Sequence, residues 1–313
     1  MAVMDSFQRV GAERRRRLRR AFVLRLLVWP LLLGVACFMG LRRFEFAATW
    51  HPERYAEGPA WRLPANGRDV WFTTPDGVKL HGWFISASTK APAVGTILYA
   101  HGNGGNLSNV GWLGERLAMR GFDVLLFDYR GYGRSEGRAT DEHALYTDTE
   151  AAYDYLLRER SVAPARLILY GHSLGTTAVV DVAARRPVAA LVVESGLASA
   201  SAMATEVLPW LPRWLHWLGR NRFDSAAKLQ RVNCPVLITH GDPDRTIPAA
   251  QAYALYAAAH EPKRLIIMSG AGHNVTGICG DRYLDTVADI LRTALAQPQT
   301  VHGTEVDAAL CAR

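Results

Sequence analysis

The stretch that most constrains this chain is Leu167-Ile-Leu-Tyr-Gly-His-Ser-Leu-Gly175. An apolar run of strand formers breaks at Gly171-His172-Ser173-Leu174-Gly175 and passes straight into Thr176-Thr-Ala-Val-Val-Asp-Val-Ala-Ala184, which reads as a helix. A serine with glycines two residues before and two after it, between a buried strand and a helix, has the pattern of a nucleophile elbow. The turn is too tight for side chains at its flanks, and it holds the serine in strained backbone geometry. The hydroxyl then stands clear of the sheet, and N–H groups at the helix start face any oxyanion that develops beside it. A glycine-containing turn with an ordinary serine also matches five residues by chance. The strand–turn–helix setting is what favours the catalytic reading.

Around this stretch, strands and helices alternate. Val70-Trp-Phe-Thr-Thr74, Pro75-Asp-Gly77 and Val78-Lys-Leu-His-Gly-Trp-Phe-Ile85 read as a β-hairpin. Apolar runs at 93–100, 122–127, 188–193, 235–239 and 264–268 are expected as buried strands, with helices over 106–120, 141–160, 248–260 and 281–296. Such strands lack a polar face, which argues for an α/β fold: a mostly parallel sheet with helices on both faces. A length of 313 residues suits one large domain of this kind plus an appendage.

The appendage is N-terminal. Residues 1–20 form a basic arm, and residues 21–41 are apolar except for Arg25, long enough to cross a bilayer as one helix. Arg25 lies near the basic end, where it can snorkel to the headgroups. A cleaved signal peptide would want a small-residue site where Met39-Gly-Leu-Arg-Arg43 stands, although Arg19-Arg-Ala-Phe-Val-Leu24 faintly resembles a twin-arginine export signal. A buried core helix would not be flanked by so many arginines. The expectation is a single-pass transmembrane anchor with its N-terminus in the cytoplasm and the catalytic domain on the far side. Arg42 and Arg43 weigh against that orientation. Residues 1–43 hold ten arginines against Asp5 and Glu13, a net +8 within a chain total of +7. The body is therefore near −1, and no nucleic-acid partner is indicated. Residues 42–68 read as a linker, 69–297 as the main domain and 298–313 as a frayed tail.

Functional groups in such a sheet collect at the carboxyl ends of strands. The run ending at Ala100 leads into His101-Gly-Asn-Gly-Gly-Asn106, a loop able to turn the Asn103 N–H toward the site beside the N–H of Leu174. That is oxyanion-hole placement. A phosphate-cradling loop is the rival, but neither the Walker nor the dinucleotide glycine pattern is present. His101 reads as a shaping residue. Asp128-Tyr-Arg-Gly-Tyr-Gly-Arg-Ser-Glu-Gly137 reads as a structural loop, with Asp128 and Arg130 as ionic partners. The run ending at Thr239 leads to Asp242 and Asp244, and the run ending at Met268 leads to His273. Serine, aspartate and histidine thus follow successive strand ends in that order.

From Val70 to Leu295 these motifs, with Gly171-His-Ser-Leu-Gly175, Gly241-Asp-Pro-Asp-Arg-Thr-Ile-Pro248 and Gly272-His-Asn274, resemble the α/β-hydrolase superfamily. More narrowly, the chain resembles ABHD-type, membrane-anchored serine hydrolases, often grouped with serine-aminopeptidase-like sequences. The resemblance implies the α/β-hydrolase fold and a Ser173–Asp244–His273 triad. It also implies a small acyl-bearing substrate, most simply an ester or thioester, and no metal or organic cofactor. The family spacing of glycine, aspartate, a hydrophobic residue and proline selects Asp244. Pro243, with its fixed φ, leaves Asp242 on the outer edge of the turn. Gly196 departs from the family, where proline is usual. A serine peptidase of aminopeptidase type is the runner-up, with Glu194 as the one candidate to meet a peptide amine. A catalytically silent binding scaffold is the third reading, and the intact triad argues against it.

Two further expectations concern less regular parts. Residues 198–222 are expected as a small lid, with three tryptophans in Leu208-Pro-Trp-Leu-Pro-Arg-Trp-Leu-His-Trp-Leu218. The plainer reading is packing over an apolar pocket; the sharper is contact with a membrane interface. Cys37, Cys234, Cys279 and Cys311 show no metal spacing and no disulfide framework, so free thiols are expected. Cys234 and Cys279 flank opposite strand ends, about 15 Å or more apart, beyond disulfide reach.

Overall fold

The computed structural model describes residues 2–58, 61–307 and 311. The chain divides into two compact units, residues 1–49 and 50–313.

The first unit is one helix, α1 (Ala2–Thr49), with Pro30 inside it. From Arg16 to Thr49 it is long and apolar enough to cross a membrane, and none of that apolar stretch is buried. The helix runs on past Leu41, where a linker was expected. Phe44-Glu-Phe-Ala-Ala48 contains nothing to break it, and an Arg42–Glu45 pair at 3.1 Å bridges one turn. It stops before His51, which Pro52 biases toward extended backbone.

The second unit is built on a sheet of nine strands among the described residues. In chain order these are β2 (Gly67–Thr73), β3 (Lys79–Ile85), β4 (Gly95–Ala100), β6 (Phe122–Phe127), β7 (Leu167–His172), β8 (Ala190–Glu194), β9 (Val236–Gly241), β10 (Lys263–Met268) and β11 (Gly303–Asp307). Two short segments, β1 (His51–Pro52) and β5 (Gly104–Gly105), pair separately in parallel. The spatial order is β11-β10-β9-β8-β7-β4-β6-β3-β2, and only β3 runs against the rest. The central strands are apolar throughout because helices cover both faces. Side chains alternate across the sheet. Ile97, Tyr99, Ile168 and Tyr170 share one core with α2 (Leu107–Met119) and α8 (Val275–Ala296). The other face is covered by α3 (Glu142–Arg158), α4 (Leu174–Ala183) and α7 (Ala250–Ala258).

Local signals explain most boundaries. The Asn106 side chain caps α2 by accepting from the Ser108 N–H, and Asn109 reaches back to the Asn106 N–H. Helix α8 begins at Val275, earlier than the apolar period suggests, because a first turn precedes a break at Gly280 (φ 61°). The segment expected as a lid comprises α5 (Ala200–Val207) and a 3-10 segment over Arg213–Leu218, followed by α6 (Ser225–Leu229).

Two expectations fail at the C-terminus. Residues 303–307 are not a frayed tail: they pair in parallel with β10, from Arg264↔Gly303 to Met268↔Asp307. The return of the chain to the sheet brings Cys311 to α8, where it is disulfide-bonded to Cys279. Cys37 and Cys234 are free.

Candidate active site

Ser173 sits between the last residue of β7 and the first of α4, with φ 53° and ψ −120°. A side chain rarely adopts such a φ without support from its surroundings. Here the Ser173 N–H donates to the Glu194 carbonyl at 2.9 Å, and the Ser173 carbonyl accepts from the Thr176 N–H and hydroxyl. The flanking glycines are required by close backbone. A Cβ on Gly171 would stand 2.6 Å from the Thr176 Cα, and one on Gly175 would meet the Ala100 carbonyl. Gly196, the departure from the family pattern, is packed as tightly. A Cβ there would lie 2.6 Å from Val193 Cγ1.

The structure brings the three expected side chains together. His273 Nε2 is 2.9 Å from Ser173 Oγ, and His273 Nδ1 is 2.7 Å from Asp244 Oδ2. Asp244 is buried, and its other oxygen accepts from the Thr246 and Ile247 N–H groups. Burial pushes its carboxyl pKa up, but hydrogen bonds from His240, His273 and Ile247 outweigh this and hold it well below the usual carboxylate range. Asp242 is exposed and turned away, accepting from Ser269 Oγ and the Gly270 N–H.

The His273 loop is held from β8. Ser195, itself at φ 50°, donates from Oγ to the His273 carbonyl at 2.9 Å, and His172 Nε2 approaches the same carbonyl at 3.3 Å. Glu194 is fully buried and accepts from the Tyr170 hydroxyl at 2.5 Å, the Thr276 N–H at 3.0 Å and the Thr276 hydroxyl. Tyr283 extends this network between Tyr170 and Thr239, so every hydroxyl has a partner. Glu194 is thus a brace for the histidine loop, with its oxygens committed.

Asn103 and Leu174 lie on the two sides of the elbow. Leu174 is the first residue of α4, where no intrahelical carbonyl reaches its N–H. The Asn103 carbonyl accepts from the His51 N–H and the Tyr132 hydroxyl. Neither N–H is engaged among the described residues. A cleft of about 260 Å³ opens here, bordered by Asn103, Trp112, Leu113, Ser173 and His273.

The loop after β6 does something the sequence did not suggest. Tyr129 and Tyr132 donate to the His101 and Asn103 carbonyls at 2.7 and 2.9 Å, fastening the glycine-rich loop from beneath. Two tyrosines three residues apart were the available signal. The expected Asp128–Arg130 ion pair is absent. Arg130 binds Asp148 and Asp76, each at 2.7 Å, whereas Asp128 accepts from the Leu107 N–H at the start of α2. Burial raises the Asp128 pKa to about 8, with hydrogen bonds from Leu107 and Arg134 opposing. His101 lies 3.7 Å away, with its pKa lowered by burial to about 4.

Comparison with known proteins places this geometry among relatives. Residues 91–227 match the sequence model of a family described as serine aminopeptidase, S33. The chain is 34% identical to the uncharacterised protein YfhR of Salmonella typhi over 287 residues, covering 85% of this chain and 94% of that one. It is 31% identical to human alpha/beta hydrolase domain-containing protein 17B, covering 77% of this chain and 82% of the relative. Among solved structures, an esterase of Pyrococcus furiosus, Pf2001, superposes with a TM-score of 0.61 at 20% identity, covering 80% of this chain and 99% of that one. At that identity the likeness shows the fold alone.

Proposed function

The chain belongs to the α/β-hydrolase superfamily, and from that premise we propose that it is a membrane-anchored serine hydrolase that cleaves an acyl ester or thioester. The observation that carries this reading is the unbroken link from Ser173 Oγ through His273 to Asp244, at 2.9 and 2.7 Å. Ser173 Oγ attacks the acyl carbonyl while His273 Nε2 takes its proton. Asp244 fixes the imidazole and stabilises its charged form. The tetrahedral oxyanion faces the Asn103 and Leu174 N–H groups, each such donor being worth about 3 kcal/mol at the transition state. Collapse expels the alcohol or thiol, protonated by His273, and leaves acyl-Ser173. Water then attacks, giving its proton to His273, and the acid departs as Ser173 is restored.

A peptidase reading has the family description in its favour. It requires a group to hold the peptide amine, and Glu194, the carboxylate that borders the cleft, is fully buried with its oxygens occupied. This favours esters and thioesters over aminoacyl amides.

The apolar helix supports anchoring, and the arginine-rich N-terminus supports a cytoplasmic start with the second unit on the far side. The Cys279–Cys311 disulfide is independent support, because such bonds persist in oxidising compartments.

The test is a fluorophosphonate probe and a panel of acyl esters, thioesters and aminoacyl amides, run on wild type and Ser173→Ala. Labelling and turnover should vanish in the variant, and wild-type turnover without Ser173 would sink the reading. Asp244→Asn should cost about 10⁴ in turnover, as in serine-protease triads, and Asp242→Asn little. The reverse result would move the carboxylate assignment.

A further inference from the structure

In the segment expected as a lid, Leu208, Leu211, Leu215 and Leu218 are partly buried, but two of its three tryptophans are not; the side chain of Trp217 lies outside the described residues. Trp210 is 75% exposed and Trp214 69%, whereas Trp71, next among the described tryptophans of this unit, is 41% exposed. Neither lid tryptophan borders the cleft at Ser173. Val207, at the end of α5, is exposed as well, and so is Arg213 between the two tryptophans. Single exposed apolar residues are ordinary. Two tryptophans four residues apart, one in a turn and one in the 3-10 segment that follows, both left in water beside a cation, are not.

Charge adds a second observation. Residues 198–222 carry Arg213, Arg220 and Arg222 against Glu206, a net +2, while residues 44–313 as a whole are near −1. Arg220 is paired with Asp141, so the positive charge beside the two tryptophans is that of the exposed Arg213, complementary to anionic headgroups. The third observation is connectivity. The catalytic unit starts at residue 50, immediately after α1 ends at Thr49.

We propose that the lid is a bilayer-docking surface, with Trp210 and Trp214 seated at the headgroup–acyl boundary and Arg213 against lipid phosphates. Tryptophan suits that depth because its ring is apolar and its N–H still finds a polar partner. The inference rests on the anchoring proposed above, since a tether turns a weak second contact into an intramolecular one. It commits to lipid over a second copy of the chain, which would not require a cationic face.

The experiment uses the full-length chain in nanodiscs containing acyl-chain-brominated lipid, which quenches tryptophans that reach it. Wild type is compared with Trp29→Phe and with the double variant Trp210→Phe/Trp214→Phe. The phenylalanines keep an aromatic ring in place, and each difference spectrum reports only the residues removed. Trp29, in the apolar part of α1, reports the anchor. Most of the Trp210/Trp214 emission should be lost to quenching, more with phosphatidylglycerol present than with phosphatidylcholine alone. Quenching of Trp29 without Trp210 and Trp214 would overturn the docking surface and leave the anchor standing. Quenching of the lid pair without Trp29 would keep the docking and overturn the anchor. Unquenched lid emission that shifts to the blue as protein concentration rises would overturn the proposal in favour of a second copy.

Discussion

His240 Nε2 lies 3.2 Å from Asp244 Oδ2, the same oxygen that His273 Nδ1 approaches to 2.7 Å. The other neighbour of His240 Nε2 is the Ile247 carbonyl at 2.7 Å, so both groups it faces are acceptors and the proton belongs on that nitrogen. His240 Nδ1 is buried with no partner among the described residues, which a lone pair tolerates better than an N–H would. In the proposed triad His240 is thus a positioning residue: it shares Asp244 Oδ2 with His273.

His240→Ala is expected to lower kcat by about 10- to 100-fold, the effect of losing a hydrogen bond to a charged group worth roughly 1.5–3 kcal/mol, with KM little changed. His240→Gln, whose amide can donate over a similar reach, should recover most of the loss. Steady-state kinetics with thermal melts decide the matter. Equal kcat in both variants and wild type would reduce His240 to a space-filler.

Glu194 offers a sharper contrast. As a brace for the His273 loop it contributes to stability, and as an amine-binding group it would contribute to KM. Glu194→Gln replaces one acceptor with a donor that faces the Tyr170 hydroxyl or Thr276. The expected cost is about 1–3 kcal/mol of stability for the mismatch, read as a lower urea midpoint. KM for acyl esters and for aminoacyl amides should move together. A rise confined to the amides, at unchanged stability, would revive the peptidase reading.

The contrast between these two residues shows what the sequence carries. The strand–helix alternation, the hairpin and the order of Ser173, Asp244 and His273 are legible because burial leaves apolar runs and the turn leaves glycines. The partners of Glu194 and Tyr129 are not, because they lie far apart in the chain and leave no periodic trace. The edge strand is the clearest miss. Gly303-Thr-Glu-Val-Asp307 has one strongly apolar residue, Val306, and that side chain is exposed. A strand that pairs on one side and buries little looks like a tail. Missing it also hid the place of Cys311.

Asp128 and His101 give the stability a pH dependence with a definite sign. From about pH 4 to 6.5 native Asp128, with its pKa near 8, keeps a proton that its unfolded counterpart loses near 3.8. Over the same range native His101, with its pKa near 4, lacks the proton that an unfolded histidine holds up to 6.5. The two differences offset, whichever of the neighbours carries the shared proton. From 6.5 to 8 only the Asp128 difference remains, the native state binds more protons, and stability falls by about 2 kcal/mol. In Asp128→Asn that fall should disappear, and stability should instead rise between pH 4 and 6.5. Urea midpoints across pH for both proteins provide the check. Parallel curves would show that Asp128 is ionised in the native state.

The disulfide yields the last prediction, because it links stability to topology. Cys279 lies in α8 just before its break at Gly280, six residues past His273, and Cys311 follows the edge strand β11, 32 positions further along the sequence. Closing a loop of that length stabilises the fold by about 4 kcal/mol in the chain-entropy account. Among the described residues β11 pairs with β10 alone, so the bond keeps that strand on the sheet. Cys311→Ser should therefore lower the urea midpoint and raise hydrogen exchange over 303–307. Ser173 should still react with the fluorophosphonate, since neither cysteine touches the triad. The companion measurement is thiol alkylation in intact cells before lysis, followed by mass mapping. Cys279 and Cys311 should resist alkylation until reduced, as expected of a domain on the oxidising side of the membrane. If both are alkylated without reduction, the second unit faces a reducing compartment and the proposed orientation is reversed.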